Sequence, residues 1–274
     1  MKIKLAENYG FCFGVKRAIK MAENEHGAAT YGPLIHNNKE IDRLKVNFDV
    51  SLKNDLSEFE SADKVIIRTH GIEKNELQVL NDKKVNIVDA TCPYVTKPQQ
   101  IVEEMSLKGY DIVIFGDEEH PEIKGVKSYA QGNVYVVLTQ DELELIPLRE
   151  KIAVVAQTTR KIENYLTLVN HLITHHKEVR VFNTICNATF ENQDAARALA
   201  KEADVMIVIG GKNSSNTKQL LSIAKESCKD SFLIESSEDL DLTWFKDKKL
   251  CGITAGASTP DWIIMDVTQQ IKNI

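Results

Sequence analysis

The sequence predicts an α/β protein built from three related modules with mostly parallel sheets. Three observations carry that prediction. Short runs rich in Val and Ile alternate with longer stretches of helical periodicity along all 274 residues, which is the pattern of βαβ units. The succession strand, turn, Cys, helix occurs three times, at 2-KIKLAENYGFCFGVKRAIKMA-22, 85-VNIVDATCPYVTKPQQIVEEM-105 and 179-VRVFNTICNATFENQDAARALA-200. Two further strands follow each helix and end in polar residues at matching spacing: 28 residues separate Cys92 from His120 and Cys186 from Ser214, against 24 from Cys12 to His36.

Strands are expected, in order, at 2–6, 28–31, 64–68, 85–90, 111–115, 152–156, 179–183, 204–210 and 249–254, with an additional short one at 134–138. Each helix after a Cys carries an apolar stripe of period 3.6. The first has Val15, Ala18, Ile19 and Ala22, the second Ile101, Val102 and Met105, the third Ala196, Leu199, Ala200 and Ala203. A last helix is expected over 260–273. No linker rich in Pro, Gly or Ser divides the chain, so the modules, 1–94, 95–183 and 184–274, are expected to pack directly on one another.

Composition narrows the function. The net charge of −6 argues against a nucleic-acid partner, which would call for a basic face. No apolar run approaches a membrane span. The start, MKIKLAENYG, lacks the apolar core of a signal peptide, so the expected compartment is the cytoplasm. Five Cys are too few, and odd in number, for a disulfide scaffold, and no CxxC is present for a zinc knuckle.

In parallel sheets ligands bind beyond the carboxyl ends of the strands. Cys12, Cys92 and Cys186 all fall at such ends, next to helix starts, where a thiol pKa is lowered. Modules arranged around a pseudo-threefold axis would aim three thiolates at a central cluster: iron–sulfur, or a zinc ion. A four-iron cluster with three Cys ligands keeps one iron open as a Lewis acid. The plain alternative, small core residues, suits Cys228 and Cys251. A non-catalytic metal module that binds a partner and a Cys-nucleophile hydrolase are the competing functional readings. The other strand ends carry His36, His70, His120, Ser214, Ser215, Asn216, Ser258 and Thr259, a polyvalent donor set suited to phosphate oxygens. Glu122, in 120-HPE-122, with Thr158 and Thr159, could form a proton relay. His26, His171, His175 and His176 read as surface residues.

Nine motifs in a fixed order carry a family resemblance: 10-GFCFGVKRAI-19, 32-GPLIHN-37, 69-THG-71, 89-DATCPYVTK-97, 120-HPE-122, 157-QTT-159, 184-TICNAT-189, 210-GGKNSSNT-217 and 254-TAGASTP-260. The chain resembles the 4-hydroxy-3-methylbut-2-enyl diphosphate reductases, iron–sulfur enzymes of the methylerythritol phosphate route to isoprenoids. The resemblance implies one [4Fe-4S] cluster per chain, held by Cys12, Cys92 and Cys186, with one open iron that would bind the substrate's C4 oxygen. It implies a diphosphate site lined by His36, His70, His120, Ser214, Ser215, Asn216 and Ser258. Glu122 is implied as the proton source, with Thr158 positioning the substrate hydroxyl and His120 beside them. The implied reaction takes two electrons and two protons, from a donor such as ferredoxin or flavodoxin, and gives isopentenyl and dimethylallyl diphosphates. Three places depart from the pattern: Phe13 replaces a small residue, Glu119 a Gly, and 190-FENQDA-195 lacks an Arg.

Overall fold

The computed structural model describes residues 1–273. Their strands form three parallel four-stranded sheets flanked by helices. The chain divides into two compact units, one comprising Met1–Lys16, Ile35–Arg43 and the residues from Asn187 onward, the other Arg17–Leu34 and Leu44–Cys186.

The second unit holds two sheets. In one, β2 (Ala29–Tyr31), β3 (Ser51–Lys53), β4 (Lys64–Ile67) and β5 (Asn86–Asp89) lie in the order β3-β2-β4-β5. In the other, β6 (Asp111–Phe115), β7 (Val134–Val137), β8 (Lys151–Ala156) and β9 (Glu178–Val181) lie in the order β7-β6-β8-β9. The first unit holds β1 (Lys2–Leu5), β10 (Val205–Ile209), β11 (Ser231–Ile234) and β12 (Leu250–Ala255), in the order β11-β10-β12-β1. The three sheets share one spatial order, with β1 filling from the N-terminus the place that β5 and β9 fill in sequence, and the strand leading to a Cys is an edge strand in each. β1 is the one strand that pairs outside the stretch 1–94: Lys2 registers with Leu250 and Leu5 with Ile253.

Burial explains the apolar runs. Every residue of β6 and β10 is buried, as expected for central parallel strands covered on both faces. The predicted stripes face inward: Val15, Ala18, Ile19 and Ala22 of α1 (Phe13–Glu23), Ile101, Val102 and Met105 of α4 (Pro93–Leu107), and Ala196, Leu199 and Ala200 of α8 (Asn187–Ala200) are buried. Ala203 lies past the end of α8 yet packs on the same core. The final helix, α10, spans Asp261–Lys272. Two edge strands carry too little pattern to be read from sequence. β3 has three residues, and β11 is four residues that begin with Ser.

Packing on β12 leaves no room at Gly252. A Cβ there would lie 2.4 Å from Met206 Sδ and 2.9 Å from Leu199 Cγ. Gly252→Ala is therefore expected to destabilise the protein by about 1–3 kcal/mol through overpacking, read as a lower denaturant midpoint with unchanged slope.

Candidate active site at the strand ends

Each sheet reverses its winding between its two central strands. Their carboxyl ends therefore form the crevice where open α/β sheets bind ligands. The segments that follow are 32-GPLIHN-37 and 68-RTHG-71, 116-GDEEHPE-122 and 157-QTT-159, and 210-GGKNSSN-216 and 256-GAST-259. The predicted polar site residues all belong to them.

The three cysteines occupy equivalent backbone positions. Cys12 N–H donates to the Ala257 carbonyl at 3.2 Å, Cys92 N–H to that of Thr69 at 3.0 Å and Cys186 N–H to that of Thr158 at 3.1 Å. Each acceptor lies two residues past the end of the neighbouring central strand, so each Cys prolongs one edge ladder before its helix begins. Near Cys186 the Thr184 side chain continues that ladder, accepting from Ala156 N–H at 2.8 Å and donating to the Ala156 carbonyl at 2.5 Å. Cys92 is the N-cap of α4, with Pro93 at the first helical position. The Cys12 carbonyl accepts from Lys16 N–H at 2.9 Å at the start of α1.

These three thiols are partly exposed, while Cys228 and Cys251 are buried in the core of the first unit. Burial pushes the Cys251 thiol up to about 12 and raises that of Cys228 as well. Accessible sulfur at a helix start suits a soft metal centre, and a buried thiol held protonated does not. The first three residues fit a metal or cluster ligand set by position and chemistry, and the last two do not.

In the second unit the polar residues form a closed network. Glu122 lies in the first turn of α5 (Pro121–Lys127) and is 1% exposed. Its Oε1 accepts from Thr158 N–H at 2.7 Å, and its Oε2 accepts from the Thr158 hydroxyl at 2.7 Å. Burial pushes the Glu122 carboxyl above the usual carboxylate range; the two Thr158 bonds and the nearby Arg160 charge oppose that without reversing it. His120 caps α5, its Nδ1 accepting from Glu122 N–H at 3.2 Å. Nδ1 must then be unprotonated, so a neutral His120 carries its proton on Nε2 and presents a donor there. The His70 ring meets that of His120 edge to face, with centroids 5.4 Å apart. Thr158→Val is expected to cost about 1–3 kcal/mol, because a buried carboxyl oxygen loses its partner, and Thr158→Ser should restore most of it in thermal melts.

Two residues of this network were not singled out in the sequence. Gln157 is fully buried; its Oε1 accepts from Asp117 N–H at 3.0 Å and from Arg160 Nε at 3.1 Å. Arg160 is half-buried, and its charge faces Glu122 and Asp117. Gln157 stands in the motif QTT, but nothing in its spacing shows that its amide bridges two loops.

The first unit supplies the other donors. Ser214 is the N-cap of α9 (Ser215–Ser227), its hydroxyl accepting from Thr217 N–H at 3.3 Å. Asn216 is 4% exposed, and both ends of its amide lack a partner among the described residues. An orphaned buried amide at the start of a 13-residue helix fits a polar ligand there. His36 is close by: a Cβ on Gly211 would stand 2.3 Å from the His36 carbonyl, so only glycine fits this approach. Ser215 and Ser258 are partly exposed. Among the departures, Phe13 is 65% exposed, so its bulk stays out of the core. Glu119 pairs with Lys124 at the surface at 2.7 Å, and 190–195 lies within α8.

Fold and strand-end chemistry together define a parallel α/β enzyme whose candidate reactive groups lie beyond the carboxyl ends of its strands. Residues 3–272 match the family model described as LytB protein, and the chain belongs to that family. It is 64% identical over 273 residues to the 4-hydroxy-3-methylbut-2-enyl diphosphate reductase of Sulfurimonas denitrificans, covering 100% of this chain and 99% of the relative. It is 62% identical to the reductase of the same name from Campylobacter jejuni, with 100% and 99% covered. Two solved structures are similar. One is of (E)-4-hydroxy-3-methyl-but-2-enyl diphosphate reductase, the terminal enzyme of the non-mevalonate pathway, at 43% identity and a TM-score of 0.73, covering 100% of this chain and 99% of that one. The other is the E-1-hydroxy-2-methyl-but-2-enyl-4-diphosphate reductase from Plasmodium falciparum, at 26% identity and a TM-score of 0.92, covering 99% and 87%. Among the described residues no helix is long and apolar enough to cross a membrane.

Proposed function

We propose that this chain reduces 4-hydroxy-3-methylbut-2-enyl diphosphate, removing its allylic hydroxyl to give isopentenyl and dimethylallyl diphosphates. The carrying observation is the buried Glu122–Thr158 pair, a carboxyl held toward its protonated form with a hydroxyl 2.7 Å away. The balance is one C–O bond broken, one C–H bond formed, two electrons and two protons consumed and one water released.

Cys12, Cys92 and Cys186 would hold a [4Fe-4S] cluster, which when bound supplies single electrons and one open, Lewis-acidic iron. Protein side chains do the rest. The start of α9, with Ser214, Ser215 and Asn216, together with His36, His70, His120 and Ser258, binds the diphosphate through hydrogen-bond donors and supplies remote binding energy for positioning. His120, with its proton on Nε2, donates to an anionic oxygen. Thr158 orients the substrate hydroxyl and links it to Glu122. Protonated Glu122 delivers a proton to the departing oxygen, turning hydroxide, a poor leaving group, into water. Burial of the pair keeps the proton from bulk solvent until substrate is in place. The electrons come from a one-electron carrier such as ferredoxin or flavodoxin.

Anaerobic turnover of the allylic diphosphate with a chemically reduced dye tests the reading. Formation of the two five-carbon diphosphates is the expected outcome; iron-loaded protein that releases neither product overturns it.

A further inference from the structure

The second unit carries a group of histidines that the proposed reaction does not use. His171 and His175 lie one turn apart near the end of α7 (Ile162–His175), and His176 follows directly as its C-cap. The His171 and His175 rings stack with centroids 4.1 Å apart and planes at 21°. Glu144, the last residue of α6 (Gln140–Glu144), brings its Oε1 to 3.8 Å from His171 Nδ1 and also accepts there from Gln140 Nε2 at 2.9 Å. Glu144 and the three histidines, with Ile146 and Leu148, border a surface depression of about 400 Å³.

The spacing is that of two metal ligands on one helix face. His175 Nδ1 lies 2.8 Å from the His171 carbonyl. The Thr174 hydroxyl lies 3.0 Å from the same nitrogen. Two imidazoles at i and i+4 with a carboxylate from a neighbouring element suit zinc, copper or nickel; magnesium and calcium prefer oxygen alone.

We propose that His171, His175 and Glu144 form a surface site for a divalent transition-metal ion, with His176 as a further donor. His175 is exposed, so its ring can turn out of the stack to meet the ion. The bound ion would tie α6 to the end of α7 and stabilise the folded chain by mass action.

The test is a calorimetric titration of the iron-loaded enzyme with Zn²⁺ alone, under anaerobic conditions. The expected result is one saturable site of micromolar dissociation constant that disappears in the His171→Gln/His175→Gln double variant. Glu144→Gln, at an exposed position, is expected to weaken binding roughly tenfold, and excess Zn²⁺ should raise the melting temperature of the unmodified protein more than that of the double variant. His26→Gln should leave this site's binding unchanged. Wild-type protein without a saturable site overturns the assignment, as does a double variant with the same stoichiometry and melting shift as wild type.

Discussion

Cys12→Ser, Cys92→Ser and Cys186→Ser are each expected to lose most of the iron and sulfide, about four of each per chain, carried by anaerobically reconstituted wild type. Turnover should fall by more than about 100-fold, since losing even a residue that only orients a ligand costs roughly 10–100-fold. A serine hydroxyl is a hard, poorly ionised donor and does not replace a thiolate on iron. Cys228→Ser is the control. Its sulfur lies in the core against Leu220 and Ala224, with the Asp230 carbonyl 3.6 Å away, so the variant should keep wild-type iron per folded chain. Iron content and turnover measured on all four variants decide the matter. A Cys92→Ser protein with full iron would remove Cys92 from the ligand set, and iron loss in Cys228→Ser would undo the division of the five cysteines.

The second large effect belongs to Glu122→Gln. The amide keeps the shape of the carboxyl but has no acidic proton, so turnover should drop by about 10²–10⁴-fold, the usual contribution of a positioned general acid, with the cluster retained. Wild-type activity should decline as pH rises through the raised Glu122 pKa, and the residual activity of the variant should lack that limb. Stability falls with rising pH as well. The folded chain holds this proton at pH values where the unfolded chain, titrating near the ordinary 4.5, has released it. The contribution of Glu122 to stability is therefore full below that value and falls as pH rises toward the native pKa. Glu122→Gln should flatten this loss, making the variant relatively more stable at neutral pH than in acid when compared with wild type. Equal turnover in variant and wild type would dismiss Glu122 as the proton donor.

Much of this was legible in the chain because the sheets are parallel and buried. A strand covered on both faces must be a continuous apolar run, so β6 and β10 stand out as 111-DIVIF-115 and 205-VMIVI-209. A helix on one face must carry a stripe, and Val102 and Leu199 lie on theirs. Shortness is what hid two strands: β3 has three residues and β11 four that begin with Ser, whereas the longer-patterned edge strands β1, β5, β7 and β9 could be read. The candidate site was legible where it repeats: Cys12, Cys92 and Cys186 recur in one local context, and the amides of all three donate to equivalent carbonyls. Gln157 and Arg160 were not, because their role lies in contacts between loops that follow different strands.

By itself, the sequence determined the parallel α/β class, the threefold recurrence and the separation of three strand-end cysteines from two core cysteines. Each follows from local pattern, since periodicity and position relative to a strand are properties of neighbouring residues. Tertiary structure alone decided that β1 completes the sheet of β10, β11 and β12 by pairing with a strand almost 250 residues away; that Glu122 is buried against Thr158, which pushes its carboxyl above the usual range; and that His171, stacked on His175, meets Glu144 across two helices. Those depend on which distant segments close on one another, and burial, which sets the charge state of a carboxyl and the company of an imidazole, exists only once they have.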